Sequence, residues 1–365
     1  MDKVPAALLE SVLVKSVDIS DKQEVKGYDF NQGLDYSAIL QSYNCIGFQA
    51  THMAQAITEL NRMLNWRLSD EPILPDDSIP DIEDRKKVKA VKFLAYTSNI
   101  ISSGLREVIR YLVQHKLVDV VVTSGGGIEE DFIKCLAKFY IGDFHLNGKS
   151  LRQQGLNRIG NLLVPNENYC KFESWIMPIF DKMLEEQKEG MLWTPSKLIE
   201  RLGREINNEE SVYYWAAKNN IPVFCPGITD GSIGDMLYMH SYANPGLILD
   251  VIGDVKRINN MAFDAKHSGM FIIGGGVPKH HTNNANLMRN GADFSVNVNT
   301  GLEHEGSDSG APPDEAVSWG KIKSGSTPIK LFAEATLVVP LIVAESFYKY
   351  HEQHKDECPT CSNSS

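Results

Sequence analysis

Between Gly306 and Lys321 the chain reads Gly-Ser-Asp-Ser-Gly-Ala-Pro-Pro-Asp-Glu-Ala-Val-Ser-Trp-Gly-Lys. Asp308, Asp314 and Glu315 thus bring carboxylates close in sequence to the indole of Trp319 and the amine of Lys321. Carboxylates pair with ammonium groups and an indole face attracts cations, so the segment suits a ligand that carries amines. A lysine beside Trp and Gly, against a hydrophobic wall, is partly desolvated. Desolvation lowers an amine's pKa and leaves more of it neutral and nucleophilic. The plainer alternative is a surface loop with a salt-bridged lysine, the ordinary state of that residue. The residues alone leave both readings open.

Three further patterns carry polar chemistry. Gly125-Gly126-Gly127 precedes a helical stretch, so bare backbone N–H groups can approach a pyrophosphate at a helix start. The full G-x-G-x-x-G fingerprint is absent, because Glu130 occupies its last position; a structural turn fits as well as a cofactor loop. Thr229–Asp235 ends in Asp-Gly-Ser-Ile-Gly-Asp, ordinarily a turn, yet one that offers Asp230 and Asp235. His280 and His281 follow a glycine-rich run. Either can cap a helix or fill space; beside an amine, an imidazole can instead take a proton near working pH.

These residues need a scaffold, and the apolar pattern supplies one. From residue 88 onward strands and helices alternate. Strands are predicted over 91–96, 118–123, 223–225, 270–273 and 329–333, and helices from Ser98 or Asn99 to about Lys116, over 128–139 and over 335–350. That order predicts an α/β fold: a Rossmann-like doubly wound parallel sheet with helices on both faces. Ligands of such sheets sit at the carboxyl ends of the strands, where the loops 97–102, 123–130, 226–235, 274–281 and 300–308 fall. Residues 65–90, rich in Asp, Pro and basic groups, are expected to form an exposed loop. The expected organisation is an N-terminal helix over 4–14 with a polar tether to residue 27, one large domain over 28–350, and a flexible tail over 351–365.

Bulk properties narrow the function. The 365 residues are 42% hydrophobic and 23% charged, as in ordinary soluble globules. A net charge of −11 argues against nucleic acid and favours cationic ligands or basic protein partners. The apolar run 337–344 contains Pro340 and falls far short of the ~20 residues of a membrane span. No basic region opens the chain, so no signal peptide is read and the cytoplasm is the expected compartment. Cys45, Cys135, Cys170 and Cys225 lie in apolar or mixed surroundings and are expected as buried free thiols. His351, His354, Cys358 and Cys361 match neither usual zinc template, and no metal is expected.

The segment 306–321 closely resembles the active-site signature of the deoxyhypusine synthase family. The resemblance extends through Gly-Tyr-Asp-Phe-Asn (27–31), Gly-Phe-Gln-Ala-Thr-His (47–52), Tyr-Thr-Ser-Asn (96–99), the run 157–173, Thr-Asp-Gly-Ser-Ile-Gly-Asp (229–235) and Gly-Gly-Gly-Val-Pro-Lys-His-His (274–281). Several long motifs in one order are far more specific than any short pattern.

The resemblance implies that Lys321 is the nucleophile and that His280, not His281, is its catalytic partner. It places polyamine contacts on Glu129, Glu130, Asp235, Gly275, His280, Gly306, Ser307, Asp308, Glu315, Ala316, Val317, Ser318, Trp319 and Gly320. It places NAD contacts on Ser98, Asn99, Ile100, Ile101, Ser102, Ser124, Gly125, Gly126, Glu130, Asp230, Thr300, Gly301, Glu305, Glu334 and Ala335. The implied reaction removes hydride beside the secondary amine of spermidine and passes the aminobutyl group through an imine on Lys321. The implied acceptor is a lysine of the translation initiation factor 5A precursor. A homospermidine synthase, which gives the same group to putrescine, is the alternative. The resemblance also implies a homotetramer with sites across a dimer interface, and an N-terminal helix that covers the site. The chain departs from the family at Glu305 and Glu334, where aspartate is usual, and at Gly301, where alanine is common. At 123–127 Thr-Ser-Gly-Gly-Gly replaces Thr-Thr-Ala-Gly-Gly.

Overall fold

Every residue of Val120–Thr123, Ser268–Ile273 and Phe294–Asn299 is buried, as expected of strands covered on both faces. In the computed structural model, which describes residues 14–75 and 77–355 together with Leu8 and Val12, these belong to a nine-strand set. The strands are β1 Val91–Tyr96, β2 Val120–Thr123, β3 Tyr140–Ile141, β4 Leu156–Ile159, β5 Leu162–Pro165, β6 Val223–Phe224, β7 Ser268–Ile273, β8 Phe294–Asn299 and β9 Ile329–Phe332. Six of them form one sheet in the order β6-β2-β1-β7-β8-β9. All its pairings are parallel, with Leu94 opposite Val121 on one side and Phe271 on the other.

Counted along the chain, that order is 3-2-1-4-5-6, the arrangement of dinucleotide-binding sheets. The winding reverses between β1 and β7, which opens a crevice at their carboxyl ends. Side chains alternate across the sheet. Leu94, Tyr96, Val121, Phe271, Val296 and Leu331 pack on one face. Phe93, Ala95, Val122, Met270 and Ile272 pack on the other against Ile258, Ala262 and Ala285 of two helices. Helices therefore cover both faces, as the sequence predicts.

The structure corrects several local expectations. The helix expected over 98–116 is two, Ser98–Ser102 and Arg106–Gln114, parted near Gly104. The glycine triplet lies inside the first turn of the helix Gly125–Leu136 instead of preceding it. A Cβ on Gly125 would lie 2.5 Å from the Asp230 carbonyl oxygen, and one on Gly127 2.3 Å from Thr123 Oγ1. The triplet thus lets this helix start lie against the strand ends. Within 65–90 a helix Ile82–Lys87 carries Arg85, buried and bonded to Asp77 at 2.9 Å, so that stretch is not merely a loop.

Strand β8 and the small antiparallel sheet β3-β5-β4 were not anticipated. The helix at 335 continues through a π-helical turn, Ala344–Tyr348, to Gln353, with His351 buried, so residues 351–353 are helical where a tail was expected. Among the described cysteines Cys225 is buried, Cys45 and Cys135 are half-buried, and Cys170 is exposed, against expectation. Residues 15–27 are exposed. Apart from Leu8 and Val12, both helical, and Val14, the N-terminal helix call lies outside the described residues, as do Cys358 and Cys361. No helix among the described residues is long and apolar enough to cross a membrane.

Candidate active site

Lys321 is delivered by a short helix and a glycine turn. Pro312 and Pro313 start the helix Pro313–Ser318, Trp319 caps its end, and Gly320 turns the chain at φ 71°. The Lys321 N–H then donates to the Ala316 carbonyl at 2.9 Å, and its carbonyl accepts from Ala292 at 3.1 Å. Both backbone groups are fixed, and Ile322 beyond is buried.

The side chain meets His280. Lys321 Nζ lies 3.4 Å from His280 Nε2 and 5.6 Å from the centroid of the Trp319 ring. His280 sits on the helix Gly276–Leu287, which starts at the switch point; Asn284, one turn on, lies 3.3 Å from its Nδ1. His281 points elsewhere and is partly buried, and burial lowers its pKa. Trp319 is 65% exposed and Lys321 only half-buried, so this indole does not by itself enclose the amine.

A cleft of about 480 Å³ opens beside this pair, lined by Asp308, Glu315, Ala316, Trp319, Gly306 and Asn284 among others. Asp308 Oδ2 is buried with no hydrogen-bond partner, and so are Asn283 Oδ1 and Asn297 Oδ1 in the same cleft. Acceptors without donors favour a ligand rich in N–H groups. Lys279, buried beside His280, reaches under the loop and donates to the carbonyl of Asp308 and, at 3.3 Å, to that of Ala311. Burial lowers its pKa. Lys330 in β9 ties the same loop through the carbonyls of Gly301, at 3.0 Å, and Gly310. Ser309 Oγ accepts from Gly276 N at 2.9 Å and packs where a Cβ on Gly275 would sit. Sequence reasoning missed Lys279, Lys330, Asn283 and Asn297. Only Asn297 carried a signal, as an asparagine between Val296 and Val298.

A second group of expected residues lies at the ends of β2 and β6. Glu129 and Glu130 are buried on the helix Gly125–Leu136. Glu129 Oε2 accepts from Ile233 N at 2.8 Å, so this carboxylate holds the start of the helix Ser232–Ala243, and burial raises its pKa. Glu130 hydrogen-bonds Ser102 Oγ. Burial pushes its carboxyl up to about 7, and the neighbouring Glu129 adds to the shift. Ser98 N donates to Ser124 Oγ at 3.1 Å, which ties the loop after β1 to the loop after β2. Asp230 and Asp235 are exposed beside this group. Neither Glu129, Glu130 nor Asp235 lines the Lys321 cleft, so one chain carries the expected polyamine residues as two separate groups.

The remaining expected residues divide similarly. Ile100 and Ile101 bury their side chains in the core. Glu334 caps the helix Ala335–Val343, accepting from Leu337 N at 3.2 Å and from Thr336. Thr300 and Glu305 are exposed, Gly301 and Ala335 half-buried, on the rim beyond β8 and β9. Ser307, Val317 and Gly320 are half-buried, and Ser318 is exposed.

A dinucleotide-type sheet with a lysine–imidazole pair beside a polar cleft defines an enzyme of the parallel α/β class. The family profile described as deoxyhypusine synthase matches residues 38–346. A deoxyhypusine synthase of Brassica napus is 56% identical over 359 residues, covering 96% of this chain and 98% of the relative. One from Caenorhabditis elegans is 57% identical over 356 residues, covering 95% of each. Homospermidine synthase 1 of Senecio vernalis is 58% identical over a shorter 329 residues, 89% of each chain. A crystal structure from Entamoeba histolytica ascribed to the same synthase superposes with a TM-score of 0.65 at 35% identity, covering 89% of this chain and 97% of that one. The chain belongs to the deoxyhypusine synthase family, and so to the transferases.

Proposed function

We propose that this chain is an NAD-dependent aminobutyl transferase that uses spermidine and modifies one lysine of the translation initiation factor 5A precursor. The observation that carries the reading is the Lys321–His280 pair beside a cleft whose buried acceptors lack donors. A triamine supplies such donors, and Asp308 and Glu315 offset its charge.

The reaction follows from these residues. Loss of hydride from the carbon beside the secondary amine, with a proton from nitrogen, leaves an imine. Lys321 Nζ, as a free amine, adds to that carbon; the C–N bond to diaminopropane breaks, and the aminobutyl group remains as an imine on the lysine. His280 Nε2, at 3.4 Å, is in position to accept or return the proton of Nζ. The acceptor lysine then displaces Lys321, and return of hydride gives the saturated product. NAD, when bound, supplies the two-electron acceptor that takes hydride and gives it back. The strand order, the crevice at β1 and β7 and the helix starts at Ser98 and Gly125 fit such a group. Ser98–Ser102, Ser124–Gly126, Glu130, Asp230, Thr300, Gly301, Glu305, Glu334 and Ala335 would hold it.

Two acidic groups on one chain favour a dimer in which Glu129, Glu130 and Asp235 of one copy complete the cleft of the other, within a homotetramer. Similarity to a homospermidine synthase keeps putrescine as the rival acceptor. The experiment supplies NAD and spermidine, then either acceptor, and traps with borohydride before peptide mapping. A butylamine adduct on Lys321 and label on the acceptor protein support the reading. An adduct on another lysine, or transfer to putrescine alone, refutes it.

A further inference from the structure

The glycine triplet after β2 is held from behind by a buried pair of tyrosines. Tyr213, on the helix Val212–Asn219, donates its hydroxyl proton to the Gly127 carbonyl at 2.5 Å. Its oxygen lies 3.0 Å from the hydroxyl of Tyr96, the last residue of β1. Each hydroxyl has one proton, and that of Tyr213 is committed to a carbonyl, which cannot donate; Tyr96 is therefore the donor within the pair. Both side chains are fully buried. Burial raises both phenol pKa values, so both hydroxyls stay protonated across the working pH range. One turn further along the glycine helix, Asp131 accepts from Ser211 Oγ at 2.5 Å and from Val212 N at 3.1 Å. The start of Val212–Asn219 thus grips Gly125–Leu136 at residues 127 and 131.

We infer that Tyr213 is a positioning residue for the cofactor: by holding the Gly127 carbonyl it sets where the N–H groups of the first helical turn stand. The Gly127 N–H donates to the Ser124 carbonyl at 2.9 Å. That leaves the N–H groups of Gly125 and Gly126, at a helix start with no intrahelical acceptor, to meet a pyrophosphate. Such contacts need their donors placed within about 0.5 Å. Glycine packs no side chain, so the triplet depends on backbone bonds to keep its place. Tyr96 orients and polarises the Tyr213 hydroxyl, but its own hydroxyl bonds Tyr213 and not Gly127. The inference rests on the cofactor reading of this loop, which assigns Ser124, Gly125 and Gly126 to NAD.

The test is calorimetry of NAD binding to the full-length wild type, Tyr213→Phe and Tyr96→Phe, with amide hydrogen exchange followed over residues 125–131. Tyr213→Phe removes the bond to Gly127 and is expected to weaken NAD binding about tenfold and to speed exchange in that segment. Tyr96→Phe takes a donor from Tyr213 but leaves the Gly127 bond in place, so NAD affinity should stay within about twofold of wild type. A merely structural role would lower both melting temperatures and leave NAD affinity near wild type in both variants, which overturns the inference. An equal loss of NAD affinity in the two variants overturns it too. Should Tyr213→Phe fail to fold because the Tyr96 hydroxyl is left without an acceptor, the double variant Tyr96→Phe/Tyr213→Phe removes that hydroxyl as well. It is expected to fold and to show the same loss; wild-type NAD affinity there counts against the inference. A wild type that binds no NAD refutes the cofactor reading itself, whereas NAD bound alike by wild type and Tyr213→Phe refutes only the role of Tyr213.

Discussion

Lys321 Nζ and the Asn284 amide engage opposite nitrogens of the His280 ring, at 3.4 Å and 3.3 Å. His280 and Asn284 share one helix face a turn apart, while Lys321 arrives from the glycine turn after Trp319. The imidazole orientation is therefore set by a helix that begins at the sheet's switch point. Lys321, the proposed nucleophile, comes from a loop tied to that helix through Lys279. Chemistry and scaffold meet at this contact.

Replacing Lys321 by arginine is expected to keep the positive charge and most packing but to abolish aminobutyl transfer. Guanidinium stays protonated and cannot add to an imine. Slow oxidation of spermidine should survive, because hydride removal needs no nucleophile. Single-turnover assays that follow reduced cofactor and labelled acceptor separately check this; full transfer by the arginine variant would remove Lys321 from its role.

Glu130 makes stability depend on pH. Its folded-state carboxyl is raised from 4.5 to about 7 by burial, so the folded protein holds a proton that the unfolded chain releases. The contribution is fully present below about 4.5 and is lost as pH rises through about 7, on the order of 3 kcal/mol at most. Glu130→Gln should flatten the fall in melting temperature across that window and be neutral or stabilising above it. An identical pH profile for variant and wild type would show that the carboxyl titrates normally.

The sheet was legible because β1, β2 and β7 are apolar runs with loops at fixed ends, and those loops carry the polar motifs. Strand β8 was not, because Ser295, Asn297 and Asn299 alternate with apolar residues. That period ordinarily marks a half-exposed strand, yet here both faces are covered. The resemblance singled out Lys321 and His280, and the fold brings their side chains together. The place of Glu129 was not legible: its carboxylate bonds Ile233 N, an acceptor–donor pair 104 residues apart. Only the folded chain brings that helix start to it. The division of the acidic residues into two groups is likewise a property of strand order, which no local motif encodes.

Glu334 and Glu305 are expected to separate by their readouts. Glu334 accepts from Leu337 N and Thr336, so Glu334→Ala should cost about 1 kcal/mol of stability, the usual value of a lost helix cap. Glu305 is exposed at the end of the turn Glu303–Glu305, and its alanine variant should melt as wild type does. If both contact NAD, each variant weakens NAD binding by roughly 1–3 kcal/mol. Calorimetry decides it; unchanged NAD affinity in both would place them outside the cofactor site.

Lys279 is expected to position Asp308 by holding the backbone of its loop. Its buried ammonium bonds the Asp308 and Ala311 carbonyls, while Lys330 holds Gly301 and Gly310 of the same loop from the far side. Lys279→Met keeps the apolar stem but removes both bonds, which frees the loop where Asp308 enters the cleft. Each bond from a charged donor is worth ~1.5–3 kcal/mol, so turnover should fall more than about tenfold. The effect should reach KM for spermidine more than the affinity for NAD, since Lys279 lines the cleft of Lys321 and is not at the Ser98–Ser124 contact. Lys279→Arg is not expected to rescue fully, because a planar fork cannot reproduce ammonium geometry at two carbonyls. Steady-state kinetics with both substrates varied, alongside melting curves, check the assignment. A loss of stability with spermidine KM and turnover both unchanged would make Lys279 a core residue and nothing more.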